Sequence, residues 1–597
     1  MITSLMARAL TLPLVVLIFA GVLVAGGIWA YIRLDIEAYP NPVPPLVEII
    51  TQVDGWGAEE VERYITVPLE VGFSGMVGLR HMRSQSLFGL SDVKIYFDWS
   101  TDYWAARQEV INRLQFIQLP QGVQAKISPW NAIGEVFRYI VVGEGYSLDE
   151  LKAAQDWILA RQWRQVPGVI DVTSYGGQTR QYHVEVDPFR LRGQGVTLAQ
   201  LEAALSNANL NVGGQRLALG EQSYDIRGVG LLRNVHDIED VVITEVASIP
   251  VRVKDVAHVT LGAAPRLGMV GIDEAEDVVQ GIILMRYGGE TPATLKGIYE
   301  QLEAIRRNHV LPPGMDIQPY YDRGDLIHTT THTVMENITL GILLVVGVLF
   351  VFLGSGKAAL ITALNIPLAL LIAFMGLVLT GTSANLISMG AVDFGIVVDS
   401  TVVMMENLFH HLGPDKPGTM RERLLRVGTE VGRPMAFSTA IIGVTFLPLF
   451  TMTGVSGVIF APMARTYAFC ILGAVVLALT LTPVLCARFM SPHFVERENY
   501  LMDVLHKLYD PLFDLALRYP KAASVFRIIP IVTCVFLFPL LGGEFMPKLE
   551  EGNLYIRATL PTSVSFEQSA QYVQRLRRAV RGCPDDANVP CDGNNRR

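Results

Sequence analysis

A helical membrane protein with α+β domains standing outside the bilayer is predicted by three features of the chain. Apolar runs long enough to cross a bilayer recur seven times. Residues 33 to 333, between the first and second runs, hold an ordinary soluble mixture of residues. Within that stretch strand and helix periodicities follow in the order β-α-β-β-α-β, the split ferredoxin-like unit. Composition agrees: half of the 597 residues are apolar and 18% are charged, which disfavours a purely soluble protein. The formal charge of −9 and the lack of a basic stripe argue against nucleic acid as a partner.

The first run, about Leu10 to Tyr31, is longer than the apolar core of a secretory signal and has no clear small-residue cleavage site. It is read as a retained anchor, so residues 1–32 form the first membrane span. Residues 33–333 form the outer domain. There LVEIITQ reads as a strand and GAEEVERYITVPLEVGFSG as an amphipathic helix. HMRSQSLFGLSDVKIYFDW gives two strands about a turn, YWAARQEVINRLQFI a second helix and QAKISP a last strand. A second unit of the same kind begins at FRYIVVGEG with the helix LDELKAAQDWILARQW. A strand-rich insertion with a helix at about Thr197 to Ala208 interrupts it, and it resumes at VVQGIILMRY and TLKGIYEQLEAIRR. The domain has no cysteine and must build its core without disulfides.

Residues 334–490 carry the next five spans, at about Thr339–Leu353, Ala358–Leu379, Leu386–Leu408, Met435–Thr451 and Tyr467–Ala487. Residues 491–520 include NYLMDVLHKLYDPLFDLALRY, whose apolar spacing suits a helix lying on the cytoplasmic membrane surface. The seventh span, about Ser524 to Leu541, lies in residues 521–542. The loop after the fourth span holds Lys416, Arg421, Arg423, Arg426 and Arg433, whereas GTSAN before it has no charge. By the positive-inside rule the basic loop and the N-terminus are cytoplasmic and residues 33–333 lie outside.

The sequence after the seventh span echoes that after the first. RLDIEAYPNPVPPLVEIITQ matches GGEFMPKLEEGNLYIRATLP in order, with Pro40 opposite Pro547 and Leu46–Thr51 opposite a strand at Leu554–Thr559. This suggests an internal duplication in which one span, one outer domain and five further spans make a repeat. Residues 543–597 would then start a second outer domain, break off after its first helix and end in a disordered tail, CPDDANVPCDGNNRR. On this reading the chain is a truncated product or has its other half elsewhere.

The fourth span carries the chemistry. In MGAVDFGIVVDSTVVMMEN stand Asp393, Asp399 and Glu406, and a carboxylate at mid-bilayer costs roughly 2.5 to 3.5 kcal/mol to insert. Asp399 and Glu406 are two helical turns apart and share a face, with Asp393 about a third of a turn round from them. Gly390 and Gly395 would let a neighbouring helix come close. A carboxyl buried at that depth favours its neutral form and can load and release a proton. Each charge moving down 100 mV supplies about 2.3 kcal/mol, or about a fiftyfold gradient. The sequence has no nucleotide-binding loop, nucleophile elbow or closed metal cluster, which disfavours an ATP-driven pump or a covalent enzyme. Proton-coupled transport is therefore the leading function.

On this order of span, large outer loop and DFGIVVDSTVVMMEN, the chain resembles the heavy-metal efflux branch of the resistance-nodulation-division (RND) transporters from residue 1 to about 580. The resemblance implies the RND permease fold, with porter and docking-type outer subdomains. It implies a homotrimer in the bacterial inner membrane, driven by the proton-motive force with no cofactor and joined to a periplasmic adaptor and an outer-membrane channel. It makes Asp393, Asp399 and Glu406 the proton relay, with a lysine partner beyond residue 597. The DFG start resembles members that export divalent metal ions. The methionine that is a ligand in copper and silver members has its equivalent position near Gln571, a departure that argues against monovalent copper or silver, and Ser400-Thr401 replaces the Gly-Ala or Ala-Ala found after this Asp in many members.

Three weaker signals have ordinary readings. His328 and His332, at i, i+4 in HTTTH, could clamp a divalent ion or be polar residues at a helix end. His236, Asp237, Glu239 and Asp240 could attract cations or form a solvated loop. Met404 and Met405 could be soft-metal steps or packing filler. Besides metal export, two alternatives stand: export of organic compounds on the same fold, and a non-transporting truncated or regulatory product.

Overall fold

The computed structural model describes residues 2–583 apart from 38–39, 130, 132–133, 247, 267, 274, 391–393, 413–416, 492–499, 543–555 and 562–563. The chain divides into two compact units, one of Met1–Val136, Met285–Leu295 and Asp322–Ile556, the other of Phe137–Leu284, Lys296–Tyr321 and Arg557–Arg597.

Among the described residues of the first unit seven helices are long and apolar enough to cross a membrane: Pro13–Arg33, Arg323–Leu353, Gly356–Leu379, Ile387–His411, Gly432–Thr451, Gly454–Phe489 and Pro520–Leu540. They match the seven apolar runs, with longer starts at the second and sixth. The second begins at Arg323 because the Asp322 carboxylate accepts from the Gly324 N–H at 2.7 Å and caps the helix directly after a strand. Its first turns are polar, so hydropathy alone misses them. The third and sixth helices are the inner pair, each with 67% of its apolar window buried.

Glycine lets that pair close up. A Cβ built at Gly376 would lie 2.5 Å from the Phe469 ring, and one at Gly473 would lie 2.9 Å from Ile372. The close approach expected at Gly390 is not found, since no described atom lies within 4 Å of a Cβ built there. The tightest contacts fall instead where two long spans run side by side.

A short helix, Ile2–Thr11, precedes the first span and breaks before Pro13. Its Met6 is fully buried, with Sδ 2.3 Å from a Cβ built at Gly428, in the Met420–Glu430 helix of the basic loop. The N-terminus and the basic loop therefore share one end of the bundle. Toward the other end Ile36–Glu37 pairs in parallel with Ala384–Asn385, which stand just before the fourth span.

The first outer sheet contains β1 (Leu46–Gln52), β2 (Leu79–Leu87), β3 (Leu90–Phe97) and β4 (Ala125–Ile127) in the antiparallel order β2-β3-β1-β4. Strict alternation of buried and half-buried residues along LSDVKIYF puts Val93, Ile95 and Phe97 on the core side. They pack with Ile65, Leu69, Phe73 and Val110 of the two crossing helices. Asp102 caps the second of these, accepting from the Ala105 N–H at 2.8 Å.

The second unit repeats the plan. Its strands β5 (Glu135–Gly143), β6 (Val169–Tyr175), β9 (Val279–Met285) and β10 (Met315–Asp322) lie in the order β10-β5-β9-β6, crossed by helices over residues 148–163 and Thr291–Arg307. Between β6 and β9 comes the insertion. It has its own small core around Leu201, Val251, Val253 and Val256 and an antiparallel hairpin of β7 (Asn211–Leu219) and β8 (Gln222–Val229). Every residue of the hairpin strands is exposed.

The helix Phe566–Val580 belongs to this unit, where Gln574 Nε2 donates to Glu276 Oε1 at 2.7 Å. The strand expected at Leu554–Thr559 is not formed over its described part: residues 556–559 are irregular. Residues 554–555 and the tail 584–597 lie outside the described residues.

Candidate functional site

Over its described residues the fourth span is helical at Leu386–Gly390 and Phe394–His411. Asp393 lies outside the described residues. Asp399, Val403 and Glu406 are exposed along one face, while Val397, Val398, Ser400, Thr401, Met404, Met405 and Leu408 are buried on the other. The structure thus brings Asp399 and Glu406 onto the common face their spacing requires. The third, fifth and sixth spans cover the opposite face, so Asp399 is not buried within this bundle as the sequence suggested. Met404 and Met405 belong to the apolar core among the spans. Asn365 of the third span donates to Thr401 Oγ1, and Ser400 Oγ lies 3.1 Å from Thr439 Oγ1 of the fifth.

The weaker signals gain little. His328 and His332 are exposed on the first turns of the second span, with His332 Nδ1 3.6 Å from Glu336. His236 sits 3.3 Å from Asp240, but Arg252 and Lys254 each donate to the same carboxylate at 2.8 Å. Those bonds, Lys254 first, hold Asp240 below the usual carboxylate range. Among the described residues no group of three His, Cys, Asp or Glu side chains could hold a metal ion.

Sequence reasoning missed a second acidic site just after the Arg33 end of the first span. A cleft of about 490 Å³ there is lined by Asp35, Glu37, Asn131, Glu290 and Thr382, among others. Arg465 of the sixth span donates to Thr382 at 2.6 Å. Glu37 is 5% exposed, accepts from the Thr291 hydroxyl and lies 3.5 Å from the buried Arg323 guanidinium. Burial still raises its pKa, against the opposing pull of Thr291 and Arg323. Asp35 is pushed from 3.8 to about 7 by burial first, then by the charges of Glu37 and Glu290. The only local signal was the i, i+2 spacing of two acids beside a span, because Glu290, Thr291 and Arg323 are remote in sequence.

Asp35 sets a pH dependence. In the folded chain it keeps its proton to about pH 7, and unfolded only to 3.8, so the fold binds the extra proton between these values. Stability therefore falls as pH rises through that window and levels off above it. Asp35→Asn is expected to stabilise the detergent-solubilised chain at pH 8 by about 2 kcal/mol, after allowance for solvent screening, and to be neutral near pH 4. Thermal unfolding at the two pH values checks this. An equal effect at both would contradict it.

In the second unit a cleft of about 670 Å³ is lined by Gln571, Met269, Arg266, Glu276, Glu567 and Phe566, among others. Gln571 thus lines a cleft whose lining also includes Met269, a methionine from another segment.

The profile described as the AcrB/AcrD/AcrF family matches residues 5–590. The cation efflux system protein CzcA of Alcaligenes sp. (strain CT14) is 35% identical over 575 residues, which cover 93% of this chain and 54% of that protein. The cobalt-zinc-cadmium resistance protein CzcA of Cupriavidus metallidurans has the same identity and coverage. A solved heavy metal efflux pump (crystal form I) superposes with a TM-score of 0.83 at 34% identity, covering 97% of this chain and 56% of that one. The chain spans about half the length of the curated relatives it matches.

Proposed function

The chain belongs to the AcrB/AcrD/AcrF family and has the RND permease fold, and on that premise we propose that it is part of a proton-driven efflux permease whose cargo is a divalent heavy-metal cation. The observation that carries the reading is the common face of Asp399 and Glu406 on a membrane-depth helix, open to exchange with groups from outside this bundle. Asp393 is the third member of the proposed relay. The proton-motive force supplies the energy, and the function is transport, with no covalent chemistry on the cargo.

The working form is a homotrimer in the bacterial inner membrane, joined to a periplasmic adaptor and an outer-membrane channel. The bare β7–β8 hairpin supports a contact with another chain, since it exposes the cross-strand pair Leu217 and Tyr224, with Ile226 next along the same face of β8. The shared end of the N-terminal helix and the basic loop supports their common cytoplasmic side. Export of organic compounds would be favoured by an aromatic-lined cleft; among the described lining residues of the second-unit cleft Phe566 is the one aromatic, beside Met269, Val564, Val573 and several charged and amide side chains.

The test is metal tolerance and cell-associated metal in an efflux-deficient Gram-negative host that supplies adaptor and channel. The chain, and the chain extended to a complete second repeat, are each compared with Asp399→Asn. The expected result is lowered zinc, cobalt, nickel or cadmium content, lost at least tenfold in the Asn variant because a neutral amide carries no proton. Equal metal content with Asp and with Asn would overturn the proton reading.

A further inference from the structure

We propose that Ser400 and Thr401 are positioning residues that clamp the rotation of the fourth span, keeping Asp399 and Glu406 on its open face. The inference rests on the reading of those carboxylates as proton carriers, but the clamp itself is a matter of geometry.

Successive helical residues are set 100° apart, so Asp399, Ser400 and Thr401 point in three directions. The first is exposed; Ser400 is 3% exposed and Thr401 fully buried. Each hydroxyl engages a different neighbour. Thr401 Oγ1 accepts from Asn365 Nδ2 of the third span, and the same amide nitrogen donates at 3.3 Å to the Ala474 carbonyl of the sixth. Asn365 therefore ties the fourth span to two helices at once. Thr439 Oγ1 donates at 2.9 Å to the Met435 carbonyl of its own helix, so its proton is committed and Ser400 must be the donor in the 3.1 Å bond between them.

Two hydrogen bonds at different azimuths resist turning in either sense. Rotation by one residue step would strip both hydroxyls of their partners in an apolar interior with no water to replace them. It would also turn Asp399 toward the inner spans. Apolar contacts alone do not fix rotation this way, because Met404, Met405 and Leu408 can repack against a turned helix. Directional bonds between buried polar groups specify one arrangement.

The experiment reads rotation directly, in the purified chain, with thiol reporters at Val403→Cys on the open face and Met404→Cys on the packed face. Alkylation is mapped by peptide mass, so the native cysteines are scored separately. The expected ratio of rates, 403 over 404, is at least tenfold in the parent sequence. It falls toward one when Ser400→Ala and Thr401→Val remove the hydroxyls, valine keeping the threonine volume so that packing survives. Restoring both hydroxyls in exchanged positions, with Ser400→Thr and Thr401→Ser, recovers the parent ratio. An unchanged ratio in the Ala/Val variant overturns the clamp. So does a lowered ratio that the Thr/Ser exchange fails to restore, because it traces the change to packing. Neither depends on transport: a ratio that moves while export ignores Asp399→Asn would leave the clamp intact and remove only the proton reading.

Discussion

Replacing Gly376 by valine is expected to be among the most damaging single changes in the membrane unit. A β-carbon there would already meet the Phe469 ring at 2.5 Å, and the two methyl groups of valine add volume where two long, largely buried helices lie side by side. Overpacking of this kind costs about 3 kcal/mol, since neither helix can withdraw without disturbing the rest of its buried length. The measurement is the thermal midpoint and folded yield in detergent, with Gly347→Ala on the second span as control. No described atom lies within 4 Å of a Cβ at Gly347, and that change should be neutral or slightly stabilising. Equal behaviour of the two variants would contradict the close packing described above.

Arg323→Met is expected to be comparably severe at neutral pH. Arg323 is 2% exposed and stands 3.5 Å from Glu37, which is 5% exposed. Removing one member of a buried pair leaves the other charge without compensation, at about 3 to 5 kcal/mol. Acid should relieve the defect, because burial already raises the Glu37 pKa and a neutral carboxyl needs no counter-charge. The double variant Glu37→Met, Arg323→Met should recover most of the loss, two apolar side chains being tolerated where a lone charge is not. Denaturation of the three proteins at pH 5 and pH 8 checks the sign as well as the size.

What the sequence made legible follows from the range of each signal. The seven spans were readable because a run of twenty apolar residues is a local property. The two ferredoxin-like sheets were readable because the alternation along LSDVKIYF and the short apolar run in EVFRYIVVG are local too. The shared face of Asp399 and Glu406 followed from helix geometry alone. Position within the bundle did not, because which neighbours cover a helix is decided elsewhere in the chain; hence Asp399 proved exposed and Gly390 open, while Gly376 and Gly473 carried the close contact. The Asp35–Glu37 site was hidden for the same reason. Strand propensity misled at residues 556–559, which are irregular, because a strand-like pattern forms a strand only where the rest of the chain supplies a partner.

The two-residue ladder between Ile36–Glu37 and Ala384–Asn385 bears on the order in which the molecule assembles. Its halves are roughly 350 residues apart, and closing a flexible loop of that length costs about 5 kcal/mol in chain entropy. A pair of ladder bonds contributes far less than this, so the contact cannot nucleate anything. It forms only after the first outer sheet, the second unit and the third span have shortened the effective loop by folding within it. The ladder is therefore a late closure, and hydrogen exchange at the Ala384 amide, bonded to the Asp35 carbonyl at 2.8 Å, reports whether assembly of the membrane unit has been completed.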